Sequence, residues 1–269
     1  MTLVVSEVSN YGIAMAADSA ITTSYPPGWV LASGTPAPPT IRTGAQKIIP
    51  IKTIDAAISV WGFGTVGIPN DLEAQIPIDK FLKDFANSVD DGQSLDDVGE
   101  QLAYLINERI RTEDTRGGFH LSGYIQAEGK KIPVLYHIHN GHRQKPPYDK
   151  VRLYRDYPFD IGYSVDKWFE DLQMNSFFYL RNGIIDTYAR FHDYLTKLMV
   201  DLSNEFRFLC PDHAKFSTAL EARGKFLRLQ IETICDFYRL SNRLEVIAKP
   251  VSWITISPEG IQHFEPIVI

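Results

Sequence analysis

The sequence predicts an α+β chain arranged as a four-layer αββα sandwich, two antiparallel sheets each flanked by a helix pair. Three observations predict it. The hydrophobic period runs strands, two helices, strands, two helices, strands along the chain. No linker, repeat or low-complexity segment interrupts that order, so residues 1–269 are expected to form one domain. With 44% apolar and 12% aromatic residues, the chain has enough material for a sizeable core.

The first element is a hairpin. Residues 2–8 and 12–18 are β-branched or small apolar runs, and Ser9-Asn10-Tyr11-Gly12 between them has turn composition. Asp18 is the only charge in the second run, where a carboxylate requires a partner. Thr2 follows Met1, and a small residue in second place lets an initiator methionine be trimmed. The trimmed chain would carry a free α-amine on Thr2, able to act as that residue's own base.

Residues 20–44 contain five prolines and read as an extended insertion, with Tyr25 and Trp29 as candidates to line a cleft. Residues 47–51 and 55–62 read as the next two strands. From Ile78 the spacing turns helical: Ile78, Phe81, Leu82, Phe85 and Val89 share one face. Asp90-Asp91-Gly92 breaks that helix, and Ser94 has cap composition for a second, carrying Leu95, Val98, Leu102 and Leu105.

Phe119 to Ala127 and Ile132 to His139 form a second predicted hairpin. Residues 143–183 are aromatic-rich and follow no clear period, so they are left without elements. Two long helices follow, one carrying Tyr188, Phe191 and Leu195, the other Leu227, Ile231 and Ile234. Val251 to Ser257 and Ile261 to Ile269 close the chain as strands.

The start of the chain resembles the N-terminal-nucleophile (Ntn) hydrolases, and among them the proteasome β-subunits and their bacterial relatives. The resemblance rests on Thr2, the apolar strand after it, Gly12-Ile13-Ala14-Met15-Ala16-Ala17-Asp18-Ser19 at the family's distance from Thr2, and Lys47 in Gly44-Ala45-Gln46-Lys47-Ile48. It covers roughly the first 65 residues; beyond them only the order of elements matches. The resemblance implies the Ntn-hydrolase fold and a threonine hydrolase that cleaves peptide or other amide bonds. Thr2 would be the nucleophile, Lys47 a cation held by Asp18, and Gly62 N–H the oxyanion donor at the end of Val60-Trp61-Gly62. The α-amine, with a reference pKa of about 7.7, would take the hydroxyl proton. It also implies a homo-oligomer, with a ring as one form, for which the aromatics of 143–183 would supply surface. Ile161-Gly162-Tyr163-Ser164 faintly matches a supporting turn of the family, with Tyr163 in place of a serine.

Other readings compete with this one. A non-peptidase amidase or acylase acting on a small substrate, and a catalytically silent ring subunit, would share the fold. Gly62-Phe63-Gly64-Thr65-Val66-Gly67 matches the dinucleotide pattern GxGxxG, but Ile68-Pro69-Asn70 follows where a phosphate-binding helix should open. His137, His139 and His142 stand close enough for a metal site, yet no further ligand spacing supports one. Cys210 and His213 are half a zinc pattern without its other half. No cofactor and no metal are expected.

Net charge of −6 and a pI of about 5.6 argue against a nucleic-acid partner. Two cysteines, Cys210 and Cys235, suit a reducing compartment. No basic stretch precedes an apolar leader, and no apolar run is long enough to span a bilayer. The expected setting is cytoplasmic, without membrane contact.

Overall fold

A computed structural model describes residues 2–23, 40–67, 75–110, 112–158, 162, 164–173, 178–183, 185–205, 220–241 and 247–267. The chain is α+β, with two five-stranded antiparallel sheets and, among the described residues, five α-helices. The first sheet has the order β12-β1-β2-β13-β14, formed by Phe178–Gly183, Leu3–Ser9, Gly12–Ala17, Ser252–Ser257 and Gly260–Glu265. The second has the order β11-β10-β9-β6-β5, formed by Arg152–Tyr157, Lys130–His139, Gly118–Ala127, Ala56–Trp61 and Ile48–Ile51. Two short ribbons complete the strands: β3 (Ile21–Thr23) with β4 (Thr40–Arg42), and β7 (Thr65–Val66) with β8 (Ile76–Pro77).

The unbroken apolar run at the start of the chain is explained by what covers it. Along β1, Leu3 and Val5 belong to a core shared with helices α4 (Ile185–Glu205) and α5 (Leu220–Leu240), while Val4 and Val8 belong to the core that reaches the second sheet. The same alternation splits β2, with Ala14 and Ala16 toward the helices and Ile13, Met15 and Ala17 toward the other sheet. A strand buried on both faces reads as continuous hydrophobicity instead of alternation.

The two sheets touch through β1, β2 and β13 on one side and β5, β6 and β10 on the other. Helix α5 lies on β2 and β13 and carries α4 against itself. Helix α1 (Ile78–Asn87) packs on β5, and α2 (Leu95–Arg109) packs on β9, β10 and β11. Ser94 caps α2 as its composition predicts: its hydroxyl accepts from Asp97 N–H at 3.1 Å, and its own N–H donates to Asp97 Oδ2 at 3.3 Å. Among the described residues no helix is long and apolar enough to cross a membrane.

The segment left without elements, 143–183, contains three: β11, a helix α3 (Val165–Gln173), and β12. Its described aromatics are partly or fully covered. Trp168 is fully buried and donates to Pro133 O at 3.1 Å, and Tyr157, Phe178 and Tyr179 are half-buried. They pack on one another, with Trp168 and Phe178 rings 4.4 Å apart. The described rings, expected as exposed surface for an oligomer, are instead buried or half-buried. Tyr25, Trp29, Ile161, Tyr163, Cys210 and His213 lie outside the described residues.

Candidate active site

Three chain segments meet at Asp18. The hairpin brings it there: β1 and β2 pair antiparallel with Val4 opposite Ala17, and the Asp18 N–H donates to Leu3 O at 3.1 Å. Asp18 is fully buried, and its two oxygens are filled by donors from those three segments and from its own turn. Oδ1 accepts from Leu3 N–H at 2.8 Å, from Thr2 Oγ1 at 3.0 Å and from Lys47 Nζ at 2.7 Å. Oδ2 accepts from Ala20 N–H at 2.9 Å and Ala248 N–H at 3.3 Å. These donors satisfy the hydrogen-bonding capacity of a carboxylate that has no access to water.

Lys47 stands just before β5, fixed by its backbone. Ala45 N–H donates to Ser19 O and Val60 N–H to Lys47 O, each at 3.1 Å. Its side chain is 2% exposed, and Nζ donates to both Asp18 Oδ1 and Thr2 Oγ1. Burial pulls the Lys47 pKa below the ordinary lysine value, against the Asp18 carboxylate, which pulls it up. The ammonium therefore gives up a proton more readily than a surface lysine does.

Thr2 is 6% exposed. Its hydroxyl has a lone pair facing Lys47 and its proton facing Asp18. The Cys235 thiol, close enough to feel both charges, has its pKa pushed up to about 12 by burial and stays protonated. It does not compete as a nucleophile.

Two supports of this cluster escaped the sequence reading. Gly183, at the end of β12 opposite Leu3, has φ of +106°, and a Cβ there would sit 1.6 Å from Thr2 O. Only glycine allows that approach. Ala248 supplies its N–H to Asp18 and its carbonyl to Ser19, whose N–H donates at 2.9 Å and hydroxyl at 3.1 Å. Turn composition around Asn182-Gly183 was available as a signal for the first; nothing local marks the second.

Gly62 stands at the end of β6 in a left-handed conformation, φ +78°, and is exposed. A Cβ on it would meet Arg116 O at 2.3 Å and Gly117 Cα at 2.6 Å, so backbone crossing is a reason for glycine there in its own right. The chain leaves Gly62-Phe63-Gly64 into the two-residue strand β7, so within its own span the GxGxxG pattern opens a strand and not a helix.

His137 and His139 stand on β10 with rings 4.0 Å apart, and His142 follows at 4.7 Å from His139. Their nitrogens are used by the protein: His137 Nε2 accepts from Trp61 Nε1 at 3.1 Å, and His139 Nδ1 accepts from Gly141 N–H at 2.9 Å. Among the described residues no three His, Cys, Asp or Glu are arranged to hold a metal ion. A fourth imidazole, His120, is fully buried between the sheets. It bonds Ser6 Oγ at 2.8 Å through Nδ1 and Asn182 Oδ1 at 2.6 Å through Nε2. Because Asn182 Oδ1 can only accept, Nε2 carries the proton and Nδ1 accepts from the serine. Burial holds His120, His137 and His139 neutral, with pKa values lowered to about 3.

No family model matches the chain, and no curated protein matches it. Solved structures do match, among them a Gly-1 mutant of Anbu from Hyphomicrobium sp. strain MC1, at 12% identity and a TM-score of 0.47, over 99% of this chain and 87% of that chain. The assignment to the Ntn hydrolases read from the first 65 or so residues is therefore corrected. Thr2, Asp18 and Lys47 are few positions, and no family model matches the chain that carries them.

Proposed function

We propose that this protein hydrolyses amide bonds with Thr2 as nucleophile, Lys47 and Asp18 activating it. The observation that carries the reading is that one buried lysine nitrogen donates to both the threonine hydroxyl and the carboxylate, with all three side chains almost sealed from water. A threonine hydroxyl is a weak nucleophile unaided, and a cation or a base at hydrogen-bond range activates it.

In this scheme Thr2 must head the working chain, so Met1 and anything before it is removed. Oγ1 then attacks the substrate carbonyl carbon, and the hydroxyl proton passes to the freed α-amine. That proton goes on to the departing amine as the C–N bond breaks, leaving an ester on Thr2. Water, deprotonated by the same α-amine, attacks the ester carbonyl; the acyl C–O bond to Thr2 breaks, Oγ1 takes the proton back from the ammonium, and the acid leaves. Lys47 lowers the energy of the oxygen as its negative charge grows, and Asp18 holds the ammonium in place. Gly62 N–H is assigned as donor to the tetrahedral oxyanion, worth about 2.7–4 kcal/mol in enzymes where such a donor has been removed.

The layering behind the site, inferred from the helix and sheet contacts, is a four-layer αββα sandwich in one domain over residues 1–269. A homo-oligomer fits the exposed Tyr194 and Leu198 on α4 and Phe237 and Leu240 on α5. Assays of quenched fluorescent peptides and aryl amides test the activity. Thr2→Ser should retain measurable turnover and Thr2→Ala should have none; equal turnover in both would exclude Thr2 as nucleophile.

A further inference from the structure

Trp61 carries its indole across the second sheet. It ends β6 opposite Gly118 of β9, which stands in turn opposite His139 of β10. Gly118 brings no side chain into that row, and a Cβ on it would meet Ile138 O at 2.5 Å and His139 Cβ at 2.6 Å. Over this gap the Trp61 ring reaches the imidazoles of β10, 5.7 Å from the His137 ring and 6.5 Å from that of His139. Its Nε1–H donates to His137 Nε2 at 3.1 Å. A neutral imidazole that accepts at one nitrogen carries its proton on the other, so His137 Nδ1–H faces the Asp156 carboxylate, 3.6 Å away.

Trp61 is 7% exposed, so the imidazole stands in for water as the acceptor of its indole N–H. The next residue is Gly62. Val60 N–H donates to Lys47 O at 3.1 Å, and N–H groups alternate along a strand, so the Gly62 N–H leaves the same edge of β6, on the side of the lysine. Gly62 is backed by Arg116 O and Gly117 Cα, and Arg116 Nη2 donates to Gly141 O at 3.0 Å. Gly141 in turn lies under the indole, where a Cβ would stand 3.1 Å from Trp61 Cη2. The Trp61–Gly62 peptide is thus boxed by backbone on one side and tied through its indole to His137 on the other.

We propose that His137 is a positioning residue for the oxyanion donor: by holding the Trp61 indole it fixes the Trp61–Gly62 peptide and with it the direction of the Gly62 N–H. Its catalytic consequence rests on the hydrolase reading. An oxyanion donor acts on the charge that develops in the transition state, so a misdirected donor lowers kcat and leaves KM nearly unchanged. A side chain that served the core alone would show no such split.

The chain contains one Trp-Gly step, Trp61-Gly62. Protein labelled at the tryptophan carbonyl carbon and the glycine nitrogen therefore shows the Gly62 N–H by itself in a carbonyl-filtered amide spectrum. His137→Leu, which fills the space without an acceptor, should move that resonance. His137→Gln, whose amide oxygen accepts, should leave it near its wild-type place. In the aryl-amide assay His137→Leu should lower kcat at least about tenfold with KM within about threefold, and His137→Gln should recover most of the loss. Thermal melts check that both variants fold. Trp61→Phe, which removes the same bond from the donor side, should reproduce the kcat loss whether or not His137→Leu folds. A Gly62 resonance unmoved in folded His137→Leu, an equal shift in both His137 variants, or a wild-type kcat in Trp61→Phe would overturn the assignment. If the wild-type protein is inactive toward amides, the hydrolase reading falls, and the Gly62 resonance still decides whether His137 sets that N–H.

Discussion

Lys47 Nζ donates to Asp18 Oδ1 at 2.7 Å, in a pair whose side chains are 2% and 0% exposed. A charge pair at that depth is tolerated because further donors satisfy the carboxylate, and it contributes position more than net stability. Breaking it from one side leaves a buried charge alone.

Asp18→Asn is expected to destabilise the fold by about 3–5 kcal/mol and to lower amide turnover at least 100-fold, near 2.7 kcal/mol of barrier. Lys47→Ala should give a comparable loss of turnover. Urea denaturation and steady-state kinetics on the same preparations separate the two effects. Full turnover in Lys47→Ala would remove the lysine from the chemistry.

Gly183→Ala tests whether the first residue is held from behind. The added methyl would overlap Thr2 O, and φ of +106° is itself strained for alanine. Turnover should fall while thermal melts show that the variant still folds. Unchanged turnover would mean that β1 accommodates the methyl by a shift that the chemistry ignores.

Glu7 is 1% exposed and bonded at both oxygens by Arg223, tying β1 to α5. Arg223→Met is expected to destabilise by about 3–5 kcal/mol, and Glu7→Gln with Arg223→Met by less than the sum of the singles. A double-mutant cycle by chemical denaturation measures it; additive singles would contradict the coupling.

Acid should weaken the protein below neutral pH. His120 titrates at about 3 in the fold, held down first by burial and then by its neighbour His137, and at about 6.5 unfolded. Between those values the unfolded chain binds a proton that the folded chain does not. The stability present above pH 6.5 is therefore lost as pH falls toward 3, by up to about 1.4 kcal/mol per pH unit for each such group. His120→Gln should remove one proton from the pH dependence of unfolding between pH 6.5 and 3. An unchanged slope would mean that His120 is already charged in the fold.

The hairpin and Asp18 were legible because each signal was local: two apolar runs around a turn, and one acid in a run that otherwise carries no charge; Lys47 came only through the resemblance. Asp18 needed a partner, and the structure supplies Lys47. The sign of the Lys47 perturbation was not legible, since a cation held by an acid is expected to keep its proton and only burial shows the opposing pull. Strands β11 and β12 were missed because both are edge strands with mixed burial, so neither shows clean alternation. Helix α3 is short, with Val165, Trp168 and Leu172 buried amid neighbours that are also aromatic. Ser6, His120 and Asn182 are joined across 114 and 62 residues of chain, a contact that no local pattern announces. Short motifs also over-reached: a threonine, an acid and a lysine were enough to suggest a family that no family model supports.

The central claim is that Thr2, at the head of the chain, is the nucleophile. An electrophile that closes a ring on both a hydroxyl oxygen and an α-amine on the same residue tests it most directly, with the modified residue located by peptide mass spectrometry. Labelling on Thr2 alone, at one equivalent per chain, with loss of turnover in proportion and no labelling of Thr2→Ala, is the predicted result. Label on any other residue, or complete labelling of Thr2 with turnover intact, would contradict it.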